Sequence, residues 1–503
     1  MQLPIINMGA ISAEIIVVVT GLLVLAVDIF SKSERRGVLS LISLAGLLAG
    51  LFAVAAVMAQ NISEPTFSGM VLSDQFAQFF KTIFLLSAGF TILISPRYLR
   101  INNIQQGEYF ELILFCTFGM MVMASAGDLV TIYIGLELMA IALYLMAGFH
   151  TENKRSSEAA IKYFLLGAFA SALLLYGMSF LYGVTGTTNL AGIHEYLDRV
   201  KDTGNPAMMI NYKTVMLSLV LMTVGFAFKI AAVPFHMWTP DVYEGAPTPL
   251  TAFMSVGPKV AGFAVLMRVY MVSFQTLAAD WVLLFSALAM LTMIVGNVVA
   301  VAQQSVKRML AYSSIAHAGY LLVGVVSAGS LGVGTTLSTS ESMVAVMVYL
   351  FSYMFMNMGA FAILISLGKT GEPRESLSDF AGLAKRRPMA AALMTVLLLS
   401  LAGIPGTFGF IGKFYIFMAA LRTGNVSLAV IGVLASVIGA FYYIRVIVYM
   451  YMRDHEGDVS PDVEPARATM YAAIATTMFT IAFGLFPRVI IEMAREAVVQ
   501  FLA

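Results

Sequence analysis

Lys229, Pro234 and His236 fall within eight positions of the stretch VGFAFKIAAVPFHMW (224–238), inside one of the long apolar runs of the chain. In hydrocarbon a lysine near a helix centre costs about 2.5–3.5 kcal/mol on insertion scales, and a proline removes a backbone hydrogen bond that no water replaces. Both need compensating partners. Lys259 and Lys413 lie as deep in other apolar runs, Lys162 about a turn and a half inside another, and Glu137 is near the middle of YIGLELMAIALY with no charged neighbour in sequence. A carboxylate there must meet a cation or take a proton. One carboxylate and several ammonium groups at similar depth on different helices describe a polar axis. Desolvation moves carboxylates and amines toward neutrality, a nearby opposite charge reverses that, and moving the charge loads or unloads a proton. A Glu–Lys pair used in this way is a switch for proton translocation.

His317, in YSSIAHAGYLL, shares a helix face with Ser313 and Ser314, hydroxyls that could hold a water chain, and so reads as a relay residue. His236 suits hydrogen bonding to backbone freed by Pro234, whereas His150, His194 and His455 read as loop residues. Lys81, Arg268 and Arg445 lie near predicted helix ends, where long basic side chains reach back to the interface. A second break is written in LAGIPGTFGFIGKF, where Gly403, Pro405, Gly406, Gly409 and Gly412 precede Lys413. Interrupted helices at membrane depth expose half-helix ends that line ion sites.

The elements that must carry these residues follow from composition. The chain has 503 residues, 60% hydrophobic and 11% charged, with a mean hydropathy of +0.88, which excludes a water-soluble globule and gives an all-α polytopic membrane protein. A formal charge of +1 offers no basic stripe for nucleic acid, and the single Cys116 excludes a disulfide, thiolate metal site or Fe–S cluster made by this chain alone. The start, MQLPIINMGA, has no basic region, and the run after it carries Glu14 and Asp28, so it reads as a retained first span without a signal peptide.

About fourteen spans are expected, near 9–30, 37–59, 76–95, 108–126, 128–149, 157–183, 214–238, 249–272, 278–302, 308–328, 341–367, 388–421, 427–451 and 468–493. The split between the fourth and fifth rests on the polar turn SAGD with Asp128. With the N-terminus outside, inside loops hold 16 Lys and Arg, outside segments 6, and the spans the remaining 7, so both termini are placed outside. Five spans from four to eight and five from nine to thirteen put each broken helix, seven and twelve, fourth in its unit. Because five is odd, the second unit enters inverted. The expected divisions are residues 1–103, 104–274, 275–455 and 456–503.

FKIAAVPFHMWTPDVYEGAPTP, GPKVAGFAVLMR, VGNVVAVAQQSVKRMLAYSSIAHAGYLL and SLAGIPGTFGFIGKFYIF, in that order, resemble the antiporter-like subunits of respiratory complex I, the bacterial proton-translocating NADH:quinone oxidoreductase. The resemblance covers roughly spans four to thirteen. It implies fourteen helices with two inverted five-helix units. It also implies roles: Glu137 as the essential fifth-helix carboxylate, Lys229 as its partner on broken helix seven, and Lys162 as the sixth-helix lysine that modulates the pair. Lys259 would be the central connecting lysine, His317 the tenth-helix relay and Lys413 the terminal lysine on broken helix twelve. Within the family, DVYEGAP with Asp241 and Glu244, lysine at 413 and a chain ending soon after span fourteen point to one of the three sister subunits. The resemblance further implies no cofactor in this chain, flavin and Fe–S clusters in partner subunits, a bacterial inner-membrane location, contact with membrane lipid and no independent function. A similar subunit occurs in photosynthetic complexes. Rival readings are a subunit of an Mrp-type Na+/H+ antiporter, for which a sodium site would need clustered oxygen ligands, and a purely structural spacer.

Overall fold

The structure is a computed structural model that describes residues 6–30, 37–60, 65–104, 107–202, 206–330, 336–368, 374–454 and 467–502. Lys32, Arg35, Arg36, Lys369 and His455, counted above among the loop residues, lie outside the described residues. Thirteen helices among the described residues are long and apolar enough to cross a membrane. The chain opens with α1 (Ser12–Phe30), α2 (Gly37–Gln60) and α3 (Gln75–Ile101). Next come α4 (Glu108–Ser125), α5 (Leu129–Ala147), α6 (Lys154–Thr185), α7 (Leu190–Asp202), α8 (Pro206–Lys229), α9 (Trp238–Gly245) and α10 (Thr248–Arg268). They are followed by α11 (Ala278–Val301), α12 (Val306–Gly329), α13 (Thr336–Leu367), α14 (Leu383–Arg386), α15 (Pro388–Ala402), α16 (Phe408–Arg422), α17 (Val426–Met452), α18 (Arg467–Leu485) and α19 (Arg488–Leu502). Counting α15 and α16 as one interrupted crossing gives the fourteen expected spans.

The turn between α4 and α5 is real: Asp128 caps α5 by accepting from Val130 N at 2.8 Å, and Thr188 Oγ1 donates to its other oxygen at 2.5 Å. Three expectations need correction. The seventh span stops at Lys229 and restarts as α9, nine residues on. The last ends at Leu485; Pro487 sits in the turn that follows, and a separate helix, α19, buries Ile490, Ile491, Ala494, Ala497 and Val498 while Arg488, Glu492, Arg495 and Glu496 stay exposed. His194 is not in a loop but on α7, which the apolar window missed because it is amphipathic; His194 Nε2 lies 3.4 Å from Asp198.

Helices α10, α12 and α13 are buried nearly throughout, while α1, α2, α6, α11 and α17 expose apolar side chains to whatever surrounds the chain. The neighbour pattern repeats: α4 packs on α5 and α10, and α6 on α8 and α9; likewise α11 packs on α12 and α17, and α13 on α15 and α16. Contacts of α10 with α12 and α13, and of α9 with α12, join the two sets.

Candidate functional site

Both helix breaks satisfy their freed backbone inside the protein, as hydrocarbon demands. After Lys229 the chain turns through Ala231 (φ +61°) and a cis Val233–Pro234 bond; Val233 N donates to Thr292 Oγ1 at 2.9 Å, and Trp238 Nε1 to the Phe228 carbonyl at 3.1 Å. In the second break α15 is stopped by Gly403 (φ +91°), the turn holds Pro405 and Gly406 (φ +88°), and Gly409 N donates to Ser400 Oγ at 3.1 Å. A helix end leaves carbonyls without intrahelical partners and carries partial negative charge. Lys413 Nζ meets that end of α15, donating to the Leu401 and Ala402 carbonyls at 3.0 Å each and to Ser436 Oγ at 2.8 Å. Gly403 is required twice over, for its φ and because a Cβ there would lie 2.9 Å from Lys413 Cδ.

Glu137 is half-buried on α5 and accepts a hydrogen bond from Ser171 Oγ of α6. Lys229 is the last residue of α8, 6% exposed, with Nζ 3.5 Å from the Tyr144 hydroxyl. Among the described residues Glu137 and Lys229 form no ion pair, although each lies in the other's electrostatic field. The structure therefore shows the pair open, the carboxylate on a serine and the ammonium on a tyrosine. A Cβ on Gly262 of α10 would lie 3.8 Å from Lys229 Cβ, which puts the central helix directly against the break.

Lys259, 2% exposed on α10, donates to both the carbonyl and the hydroxyl of Ser314 on α12. His317, one turn on, has Nδ1 2.5 Å from the Tyr349 hydroxyl and Nε2 3.2 Å from the Tyr443 hydroxyl, and Tyr443 also hydrogen-bonds Ser313. Lys413 Nζ lies 4.9 Å from the centre of the Tyr320 ring. The Tyr320 hydroxyl accepts from Asn297 Nδ2 at 3.0 Å, and the Tyr442 hydroxyl donates to Asn297 Oδ1 at 3.1 Å. The Tyr442 and Tyr443 rings are 4.4 Å apart, so the hydroxyls around His317 and those around Asn297 meet there. The structure thus brings Lys259, His317 and Lys413 into one polar region. Tyr320, beside His317 in YSSIAHAGYLL, was visible in the sequence; Ser171, Asn297, Ser436, Tyr144, Tyr349, Tyr442 and Tyr443 were not foreseen, since an aromatic ring in an apolar helix reads as core, and the doublet in GAFYYIRV was the visible signal for the last two.

Lys162 stands elsewhere. Its Nζ is 2.7 Å from Glu158 Oε1 and 2.8 Å from Asp241 Oδ2, and its side chain is 41% exposed. It lies nine residues before Ser171 on the same helix, about 13 Å along the axis. At that range any influence on Glu137 is through the field and not through contact, and it is weakened because Lys162 is partly exposed and paired with two carboxylates. Burial works against ionisation of Asp241, but hydrogen bonds from Lys162 and Arg308 hold its carboxyl below its ordinary value.

Two basic residues expected to reach the interface are instead buried and paired. Lys81 lies 2.7 Å from Glu14, and Arg268 grips Asp74 with two 2.8 Å contacts. Arg445 donates to the Val301 and Gln303 carbonyls at the end of α11, at 2.7 and 2.6 Å. Glu14, in the first turn of α1, is thus a buried and paired carboxylate in the run read from sequence as a retained first span.

Residues 126–439, which include all six predicted proton-carrying residues, match the family described as NADH:quinone oxidoreductase/Mrp antiporter, transmembrane. The chain is 48% identical over 495 residues to NADH-quinone oxidoreductase subunit N of Trichlorobacter lovleyi, covering 98% of this chain and 97% of that one. It belongs to the subunit N family. A chain of respiratory complex I from Thermus thermophilus is similar in structure, with a TM-score of 0.77 at 30% identity over 95% of this chain and 98% of that chain. A chain of the Mrp complex from Dietzia sp. has a TM-score of 0.82 at 21% identity over 99% and 98%, which shows a shared fold. Subunit N membership agrees with the reading of DVYEGAP and Lys413 given above.

Proposed function

We propose that this chain is a membrane-arm subunit of a bacterial proton-translocating NADH:quinone oxidoreductase, and that it conducts protons through Glu137, Lys229, Lys259, His317 and Lys413. Redox chemistry belongs to flavin- and Fe–S-bearing partner subunits and reaches this non-redox chain as an electrostatic or conformational signal. One observation carries the reading. Three deep lysines, Lys229, Lys259 and Lys413, are held by hydroxyls and carbonyls and, among the described residues, form no ion pair. Ammonium groups held by neutral oxygens keep their partners whether charged or neutral, which suits a proton carrier and not a static ion pair. At an effective dielectric of about 20, bringing two opposite unit charges from about 10 to about 4 Å changes their interaction by about 2.5 kcal/mol. Moving one proton against 100 mV requires about 2.3 kcal/mol. A single switched pair is therefore of the right size. Pro234 and Pro405 place the two helix breaks that carry Lys229 and Lys413.

The repeated neighbour pattern supports two inverted units, 104–274 and 275–455, preceded by an N-terminal segment of residues 1–103 and followed by a C-terminal segment of residues 456–503. The loop charges support both termini on the outer side of the cytoplasmic membrane. The test is to tag the chain, extract it in mild detergent and ask whether flavin and Fe–S absorbance with NADH:quinone activity copurify in one large particle. Copurification is expected. A chain recovered with small antiporter-like partners and no flavin would overturn the assignment and leave cation/proton exchange in its place.

A further inference from the structure

The charges around Lys162 form a ladder of alternating sign that crosses between the two helical sets. Glu158 and Lys162 lie on α6, Asp241 and Glu244 on α9, and Arg308 in the first turn of α12. The successive contacts are 2.7 Å from Glu158 to Lys162, 2.8 Å from Lys162 to Asp241, 3.0 Å from Asp241 to Arg308, and 2.5 Å from Arg308 to Glu244. One Asp241 oxygen faces Lys162 and the other faces Arg308, so this carboxylate is the bridge. Lys307, next in the chain, donates to the Glu244 and Ala246 carbonyls at 3.1 and 2.9 Å and fixes the start of α12 on the end of α9. The ladder borders a cleft of about 240 Å³ lined by Arg155, Glu158, Lys162, Asp241 and Glu244.

Each end of the ladder leads along a rigid helix to a deep site. Along α6, Ser171, which holds Glu137, lies nine residues past Lys162. Along α12, Ser314, which holds Lys259, lies six residues past Arg308. The ladder thus fastens together the two helices that supply partners to Glu137 and Lys259. We infer that Asp241 and Arg308 are positioning residues of the translocation machinery: through the shared Asp241 carboxylate, the placement of α12 sets where the Lys162 charge stands relative to Glu137. This rests on the proposed proton function and adds the route by which the two halves feel one another. Arg308 suits the task because a single guanidinium nitrogen, Nη1, lies within 3.0 Å of both carboxylates.

The test is a double-mutant cycle in the assembled complex, in inverted membrane vesicles, reading protons moved per NADH oxidised. Arg308→Gln and Lys162→Gln are each expected to lower that ratio several-fold with the complex still assembled. The double variant is expected to fall no further than the worse single one, since both act through one charge. Losses that multiply, or an Arg308→Gln complex that pumps as the parent does, would overturn the inference. Should Arg308→Gln prevent assembly, Asp241→Asn, which removes the shared carboxylate charge, replaces it in the same cycle and is read in the same two ways. Lys229→Ala, measured alongside, separates the two ideas. If it pumps fully, the proposed function falls; if it does not pump while Arg308→Gln does, only the ladder falls.

Discussion

At the residue scale, the deep lysines differ in how firmly they are held. Lys413 has three oxygen partners within 3.0 Å, whereas Lys229 has one tyrosine hydroxyl at 3.5 Å. The weakly held group is the one whose partner is expected to change. Tyr443 is the hinge of the hydroxyl chain because its oxygen touches both Ser313 and His317. Tyr443→Phe removes only that oxygen, so it is expected to slow proton pumping several-fold with normal complex yield, measured by acidification of inverted vesicles. Pumping at the parental rate would remove Tyr443 from the path. Burial of Lys229, Lys259 and Lys413 was legible in the sequence, because each interrupts an apolar run. Their partners were not, since hydroxyls and carbonyls from other helices leave no mark near a lysine in sequence. For the same reason Lys81 and Arg268 looked like interface anchors: Glu14 and Asp74 meet them only across helices.

At the scale of elements, Pro234 and the Gly403–Gly412 stretch announced both helix breaks, although the apolar window ran through the first and placed its end at 238 instead of Lys229. Gly403 holds a backbone conformation that costs a residue with a Cβ about 1–2 kcal/mol. Gly403→Ala is expected to lower stability by about that amount and to reduce pumping more than a similar loss elsewhere, because the added methyl meets Lys413. Thermal inactivation and pumping, measured together, check both effects. The α9 ladder has a defined pH range. Asp241 is held below its ordinary value of 3.8, so the stability it contributes is fully present above that value and is lost as pH falls through its lower folded value. Between pH 5 and 8 the Asp241 contribution is expected to stay constant. Comparing the thermal stability of the parent and Asp241→Asn across that range checks it, and a difference that varies with pH would contradict the assigned charge state.

At the scale of the whole molecule, Arg268 ties together regions that the sequence separates widely. It binds Asp74 ahead of α3, donates to the Ala124 carbonyl near the end of α4 at 3.1 Å, and lies over the rings of Phe76 and Phe501 at 4.9 and 5.4 Å. Arg268→Ala would leave Asp74 buried without its main cation, and removing one partner of such a pair typically costs about 3–5 kcal/mol. A sharp fall in complex yield is expected, measured by the amount of assembled particle in detergent extracts. Span number and the family were legible because they depend on apolar length and on motifs of consecutive residues. The α19 docking and the Arg268 junction were not, because they depend on contacts between distant segments. The central claim remains the Glu137–Lys229 switch. Its most direct test is proton pumping by the fully assembled complex carrying Lys229→Ala, with NADH oxidation recorded in the same vesicles. Loss of most proton movement in a well-assembled particle is the predicted result, and full pumping would contradict the account.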